Sequence, residues 1–377
     1  MIYLDCAATT PPFSEALQAF EDVSLNSFGN PSSLHTAGFA ASKILENSRN
    51  SILSCLGVSK THRLIFTSGA SEANSLAIKG AAFHYKNRGK RIITSAVEHP
   101  SVLKAFEQLG EEFGFEVIEL PVNGEGKVEP ETLENAMNKE TILVSIMAVN
   151  NETGSINDLS ALLKVVRKYP KALFHSDLTQ AIGKLDLPLG DLDMFSFSAH
   201  KFGGLKGNGA LIYKSHLSFL SLISGGHQES GLRGGTVDVA GASAMSVALS
   251  KTMSLRKEEI ARCATLNAYL KQRLAEIDEV LINSPNDASP FVLDFSLLRH
   301  KASVVVEALS RKGICVSSVS ACNSKGEPAS YVLLAMGKTM DMAKNSIRVS
   351  FGLNSNKGDV DAFIAELKAI LEEVNPR

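Results

Sequence analysis

The sequence predicts an α/β fold in two parts. A large domain is built on a mostly parallel, seven-stranded sheet flanked by helices, and a smaller α/β domain follows at the C-terminal end. Three observations predict this. Between Arg63 and Tyr213, seven short apolar, β-branched runs alternate with amphipathic helical stretches, and strands spaced by helices pair in parallel. A long helical stretch, about Val239 to Glu276, then leads into a second set of strands and helices. The chain has 377 residues, 44% of them hydrophobic, enough for a large core and two domains. The expected division is 15–255 for the large domain, with 1–14 and 256–377 forming the small one.

The strands of the large sheet are expected at Leu64–Thr67, Arg91–Val97, Phe115–Leu120, Thr141–Val149, Ala172–His175, Asp193–Phe197 and Ala210–Tyr213. Helices fall between most of them, as at Ser101–Phe113 and Leu159–Tyr169, where apolar residues recur at helical spacing. The small domain reads as strand Phe291–Phe295, helix Ser303–Lys312, strand Cys315–Val319, a loop, helix Ala329–Met336, strand Ile347–Phe351 and helix Val360–Val374. Ahead of the first strand, Gly29-Asn30-Pro31-Ser32-Ser33 is turn chemistry, followed by a helical pattern to about Cys55.

Composition excludes several classes. Lys+Arg 38 against Asp+Glu 40 gives a net charge of -2, which argues against direct nucleic-acid binding and against a polybasic membrane surface. No window approaches the roughly 18 apolar residues of a membrane span. Met1-Ile2-Tyr3-Leu4-Asp5 has neither a basic start nor a long apolar run, so no signal peptide is expected. Cys6, Cys55, Cys263, Cys315 and Cys322 are odd in number and widely spread. That pattern predicts reduced thiols in the cytoplasm, with neither a disulfide framework nor a metal site.

Ligands on a parallel sheet bind beyond the carboxyl ends of its strands, and the candidate residues stand there. Phe195-Ser196-Phe197 runs into Ser198-Ala199-His200-Lys201 and a glycine-rich loop, Gly203 to Gly209. A lysine there is either a surface residue of a flexible hairpin or a desolvated amine used to form imines. Ala172–His175 runs on to Asp177 and Gln180. Thr67-Ser68-Gly69-Ala70-Ser71 takes a strand into a helix capped by Ser71, a phosphate cup or a plain helix cap. His99 follows another strand and precedes Pro100. Asn150-Asn151-Glu152-Thr153-Gly154 offers amide donors or simply a turn. Cys322 stands among small and polar residues, Ser317 to Pro328, where a thiol is reachable and a thiolate is favoured. Arg348 interrupts an apolar strand and wants a carboxylate, from a ligand or from within the chain.

A strand-end acid with a strand-end lysine is the pair that pyridoxal 5′-phosphate needs: an amine for its Schiff base and a partner for its ring nitrogen. With Tyr3-Leu4-Asp5-Cys6-Ala7-Ala8-Thr9-Thr10, Ser198-Ala199-His200-Lys201 and Ser320-Ala321-Cys322, the chain resembles the class V aminotransferase family of fold type I. Within that family it resembles the cysteine desulfurases, and the likeness runs from Tyr3 to about Gly352. The resemblance implies that L-cysteine is converted to L-alanine, leaving a persulfide on Cys322. Selenocysteine lyase or an aminotransferase of the same class is the alternative.

The resemblance also implies residue roles. Lys201 carries the cofactor, Asp177 meets the ring nitrogen and His99 stacks on the ring. Gln180 and Asn150 meet its phenolic oxygen. Gly69, Ala70, Ser71, Ser198 and His200, with Thr236 of a partner subunit, hold the phosphate. Asn30, Asn150 and Arg348 receive the substrate. A homodimer is implied, as is a sulfur-acceptor protein such as an iron–sulfur scaffold or a tRNA-thiolation enzyme. Cys6, Leu205, Val319 and Leu353 depart from the family pattern. The family usually carries Asn, Gly and Arg at positions 6, 319 and 353.

Overall fold

The apolar runs form a seven-stranded sheet in the computed structural model, which describes residues 1–318, 329–374 and 376. After a short strand β1 (Ile2–Tyr3), the sheet is built from β2 (His62–Thr67), β3 (Arg91–Ser95), β4 (Glu116–Leu120), β5 (Thr141–Ser145), β6 (Leu173–Asp177), β7 (Met194–Ser198) and β8 (Gly209–Lys214). Its order is β2-β8-β7-β6-β5-β3-β4. Neighbours are parallel except around β8, which runs antiparallel to both β2 and β7. The central strands β5, β6 and β7 are buried at every position, as strands covered by helices on both faces must be.

The helices follow from local sequence. In Pro100–Phe113 the buried residues are Val102, Ala105, Phe106 and Leu109, the spacing that puts one apolar face on the sheet. His99 caps this helix, Pro100 occupies its first position, and Gly114 ends it with a left-handed φ of 67°. Asp158 caps the helix Leu159–Val166, its side chain accepting from Ala161 N.

β3 and β5 are shorter than the apolar runs that announce them. They stop at Ser95 and Ser145; beyond them Ala96 N still donates to Leu120 O, and Ile146 N and Ala148 N to the carbonyls of His175 and Asp177, but β3 and β5 no longer pair with each other. Glu98 explains the break: its carboxylate accepts the Met147 N–H at 2.9 and 3.0 Å, a donor that a longer β3 would have taken.

A 36-residue helix, Val239–Leu274, is capped by Asp238 and serves two cores. Its first part, through Leu249, packs in the core of the large sheet. Cys263, Leu266, Leu270 and Leu274 pack in a second core. The expected boundary at 255/256 falls between these two sets. The second core is built on β9 (Val280–Ile282), β10 (Val292–Leu297), β11 (Ile314–Cys315), β12 (Ser317–Ser318) and β13 (Ser346–Ser350). β12, β13, β10 and β9 form an antiparallel sheet in that order, and β1 pairs with β11. The single strand expected at Cys315–Val319 is therefore two short ones in different sheets, with Val319 outside the described residues. β9 and the one-turn helix Met340–Lys344 were not expected from sequence; both are too short to show a period.

Among the described residues no helix is long and apolar enough to cross a membrane, and no group of three or more His, Cys, Asp or Glu side chains is placed to hold a metal.

Candidate active site

The antiparallel insertion of β8 builds one wall of the site. Gly209 pairs with both Thr67 and Ser198, the last residues of β2 and β7. A Cβ on Gly209 would lie 2.6 Å from the Gly69 backbone and 2.7 Å from the Phe197 carbonyl oxygen. Only glycine lets the β2 turn sit against the end of β7. There the Ser198 hydroxyl accepts the Ala70 N–H at 2.7 Å. Gly69, not Ser71, holds the cap position of the helix Ala70–Ser75, and no side chain caps it. Ser71 lies inside the first turn, whose N–H groups have no intrahelical acceptors.

β6 and β7 are neighbours, so Asp177 and Lys201 come to one edge of the sheet. Asp177 Oδ1 accepts from Thr179 N at 2.8 Å and Oδ2 from Asn74 Nδ2 at 2.8 Å. Asn74 also accepts from the Ser196 hydroxyl. Behind it His175 Nε2 meets Ser196 Oγ at 3.2 Å and Nδ1 meets Ser145 Oγ at 2.8 Å. Complete burial holds the His175 pKa down at about 4, so the ring is neutral in this network.

Lys201 Nζ donates to the carbonyls of Ala7 at 2.6 Å and Ala8 at 2.8 Å. Burial, with the charges of Lys184 and Arg348, lowers its pKa to about 7, against the opposing pull of Asp177 and Asp5. A neutral amine has two N–H bonds and one lone pair; two carbonyls engage the first and leave the second free. Gln180 donates one of its two N–H groups to the same Ala7 carbonyl at 2.9 Å. His200 meets Thr9 Oγ1 at 3.1 Å; burial and then the Lys201 charge hold its pKa down at about 4. His99 is exposed to solvent at the rim. Its Nδ1 accepts the Ser101 N–H at 3.1 Å, and desolvation by the surrounding protein lowers its pKa.

Asn150 is committed to the chain. Its Nδ2 donates to the Val97 carbonyl at 2.9 Å and faces the Met147 sulfur at 3.6 Å. Its Oδ1 accepts from Glu152 N and Thr153 N. The turn alternative accounts for this side chain. Arg348 has an internal partner: Nη2 pairs with Asp5 at 3.0 Å and Nη1 donates to the Asn151 carbonyl at 2.9 Å. Its Nε is buried and has no hydrogen-bond partner among the described residues.

Two expected residues are not brought to Lys201. Asn30 is exposed and lines a separate cleft of about 570 Å3 with Arg49 and Glu229. Thr236 is exposed on the 224–236 loop. That loop is pinned by Glu229, whose carboxylate binds Arg49 in two contacts and accepts the Phe66 N–H. A second pin is Arg233 on Glu72 at 2.9 Å. Cys322 lies outside the described residues. Burial pushes the Cys6 thiol up to about 11 and Cys263 to about 12, and raises Cys55 as well. These are poor thiolates.

A family model described as Aminotransferase class-V matches residues 2–363. The chain belongs to the class-V aminotransferase family. It is similar to a protein of Dictyoglomus turgidum named cysteine desulfurase IscS, at 38% identity over 99% of this chain and 95% of that one. Among solved structures, one described as NIFS-like protein superposes with a TM-score of 0.92 at 32% identity, covering 99% of this chain and 100% of the other. Another, described as SspA in complex with cysteine, gives 0.80 at 31% identity over 93% and 99%.

Within this class-V chain, sequence reading missed Asn74, His175, Glu98 and Glu152. A signal existed for Asn74: it is the lone amide on the otherwise small and apolar face of Ala70, Ala73, Leu76 and Ala77. Glu98 and Glu152 are fully or almost fully buried; burial raises them to about 8 and about 7, outweighing the hydrogen bonds from Ser95 and Ser330. Nothing in the sequence distinguishes them from surface glutamates.

The Lys201 shift has a stability consequence in cofactor-free protein. Its folded pKa, about 7, lies below the ordinary 10.5, so between those values the unfolded chain binds more protons. Stability therefore rises with pH through that window, by up to about 1.4 kcal/mol per unit. Lys201→Met lacks that contribution. In urea denaturation at pH 7 and pH 9, the wild type is expected to gain on the variant at the higher pH; parallel behaviour would show that Lys201 is not held neutral.

Proposed function

We propose that this class-V chain is a pyridoxal 5′-phosphate-dependent cysteine desulfurase. It converts L-cysteine to L-alanine and leaves the sulfur as a persulfide on Cys322 for a protein acceptor. The observation that carries the reading is the desolvated Lys201 amine, held by two carbonyls one strand away from Asp177. Two further features fit the group. The cup formed by the first turn at Ala70, Ser198 and His200 suits a phosphate, and the unpartnered Arg348 Nε suits a carboxylate.

Bound there, the cofactor supplies an electron sink that eases loss of the substrate Cα proton. The chain supplies the rest. Lys201 would hold the group through its amine, and as a neutral amine it is placed to take up a proton. Asp177, kept in place by Asn74 and Thr179, would hold the proton of the ring nitrogen. His99 would cover the ring, and the second N–H of Gln180 would be available to its phenolic oxygen. Gly69, Ala70, Ser71, Ser198 and His200 receive the phosphate. Asn150 shapes the turn beside them.

Arg348 orients the substrate carboxylate, sharing its guanidinium with Asp5. The Cys322 thiolate attacks the substrate sulfur; the carbon–sulfur bond breaks, alanine leaves with the proton, and the Cys322 thiol becomes a persulfide. Of the five cysteines, it alone is flanked by small, polar residues.

The homodimer belongs to this reading. Leu25, Phe28, Leu34 and Phe39 are 67%, 80%, 87% and 59% exposed, an apolar surface around Asn30 of the kind a partner covers. Thr236 then completes the partner's phosphate cup, and Asn30 belongs to the rim of that shared site. The acceptor is an iron–sulfur scaffold or a tRNA-thiolation enzyme, and the site of action is the cytoplasm, a reading supported by the odd number and wide spread of the cysteines.

Three outcomes are expected. Cys322→Ser should retain the yellow cofactor and bind cysteine, yet make little alanine. After exposure to cysteine, the wild-type peptide holding Cys322 should gain about 32 Da, one sulfur atom. Sulfide release with no such gain would point to the lyase alternative.

Arg348→Lys keeps the charge but loses the planar fork. It should raise the cysteine concentration needed for half-maximal rate about tenfold or more, with cofactor content unchanged. Loss of fold instead would make Arg348 only the partner of Asp5.

Light scattering should give a dimer, and Thr236→Ala should release cofactor faster; a fully active monomer would defeat the shared-site assignment.

A further inference from the structure

The cleft of about 1040 Å3 that opens on Lys201 is lined by a second lysine, Lys184. Lys184 is 8% exposed, and among the described residues it has no carboxylate partner. An ammonium buried without a counter-ion costs several kcal/mol, so its retention needs a reason. Among the described residues its polar contact is Gln180 Oε1, to which Nζ donates at 3.5 Å, and its Nζ lies 5.6 Å from the centre of the Phe291 ring. Gln180 lies four residues earlier in the same run of turns, and its Nε2 donates at 2.9 Å to the Ala7 carbonyl, which accepts Lys201 Nζ at 2.6 Å. The contacts run in series: Lys184 fixes the orientation of the Gln180 amide. That orientation turns Nε2 onto Ala7. The Ala7 carbonyl then aims the Lys201 amine.

We propose that Lys184 is a positioning residue for Lys201, acting through Gln180 and the Ala7 carbonyl and by its own charge. The proposal rests on the cofactor reading given above and names a contributor to the same site. Its direction follows from the groups that face the two lysines. Around Lys201, Arg348 and Lys184 oppose a proton on the amine, Asp177 and Asp5 favour one, and His99 and His200 stand beside it as neutral rings. Around Lys184 stand the thiols of Cys6 and Cys263, both pushed upward by burial and therefore uncharged. Burial lowers Lys184 to about 8, so at neutral pH it is largely cationic while Lys201, at about 7, is half neutral. Removing Lys184 takes away a neighbouring positive charge and frees the Gln180 amide to flip; both changes leave the nitrogen at position 201 more readily protonated and less well aimed.

The test uses the full chain loaded with pyridoxal 5′-phosphate. The visible band of a lysine-bound cofactor changes as the linking nitrogen titrates, so a spectroscopic pH titration reads that nitrogen directly. Lys184→Met and Lys184→Gln should raise the midpoint by about one pH unit. Both should also slow capture of added pyridoxal 5′-phosphate by the cofactor-free protein at neutral pH severalfold. Lys184→Arg keeps the charge and should hold the midpoint near that of the wild type. Melting temperatures of the same samples identify a variant that fails to fold, and the other uncharged variant then decides. An unchanged midpoint in a folded Lys184→Met or Lys184→Gln protein overturns the proposal and leaves Lys184 a packing residue. A wild-type protein that never develops a visible band overturns the cofactor reading itself, and the proposal falls with it.

Discussion

A partly buried lysine amine with no ion-pair partner among the described residues is the constraint around which this molecule is arranged. Burial in low dielectric opposes the ammonium form, and the fold accommodates Lys201 by giving it carbonyl oxygens. They come from the segment 5–10, which crosses from the small sheet to the edge of the large one. Along it Asp5 pairs with Arg348, Ala7 N donates to Ser350 Oγ, and Ala7 and Ala8 accept from Lys201. Thr9 meets His200, and Thr10 accepts from Gly203 N and donates to the His200 carbonyl. Six residues thus connect the arginine on β13 to the lysine beyond β7. Their backbone carbonyls cannot be altered by side-chain substitution, which makes the amine's environment robust.

The second requirement is an acid that stays in place at the end of β6. Asp177 is supported by a line of small polar groups through the interior: Asn74, Ser196, His175 and Ser145. Polar side chains in the middle of buried strands are costly unless each finds a partner. Here each has one, and the neutral His175 ring joins β5, β6 and β7 through their serines. Apolar residues at these positions would pack without that cost. They would leave Asp177 with one donor in place of two.

The large sheet was legible in the sequence because its strands are buried on both faces and read as continuous apolar runs bounded by polar turns. The chemistry-bearing strand ends were legible for the same reason: where such a run stops at Asp177 or just short of Lys201, the residue stands out. What was not legible depends on partners distant in sequence. Glu98 ends β3 only because Met147 lies across from it. Arg348 looks like a free guanidinium until Asp5, 343 residues away, is placed beside it. Asn150 reads as a donor in a turn and is one, but its acceptor is Val97. The split of 314–318 into β11 and β12 follows from β1 and β13 claiming neighbouring residues for different sheets. Short-range pattern contains no record of that competition.

Three of the four departures from the family pattern come together among the described residues, and Val319 lies outside them. Cys6, Leu205 and Leu353 line the same cleft as Lys184 and Lys201. At positions 6 and 353 a thiol and a leucine stand where the family usually carries an amide and a guanidinium. At position 353 the absence of a second arginine leaves Arg348 as the guanidinium of β13, with its charge already shared with Asp5. At position 6 the thiol packs so closely on Gly352 that a Cβ there would lie 2.4 Å from the sulfur. An asparagine amide would bring a donor and an acceptor into that contact. The thiol brings only a weak donor and a weak acceptor, and its raised pKa keeps it uncharged. Cys6 and Leu353 thus add no charge to the cleft on which Lys184 and Lys201 open, and the Lys184 charge acts on Lys201 with no further ion contributed from those two positions.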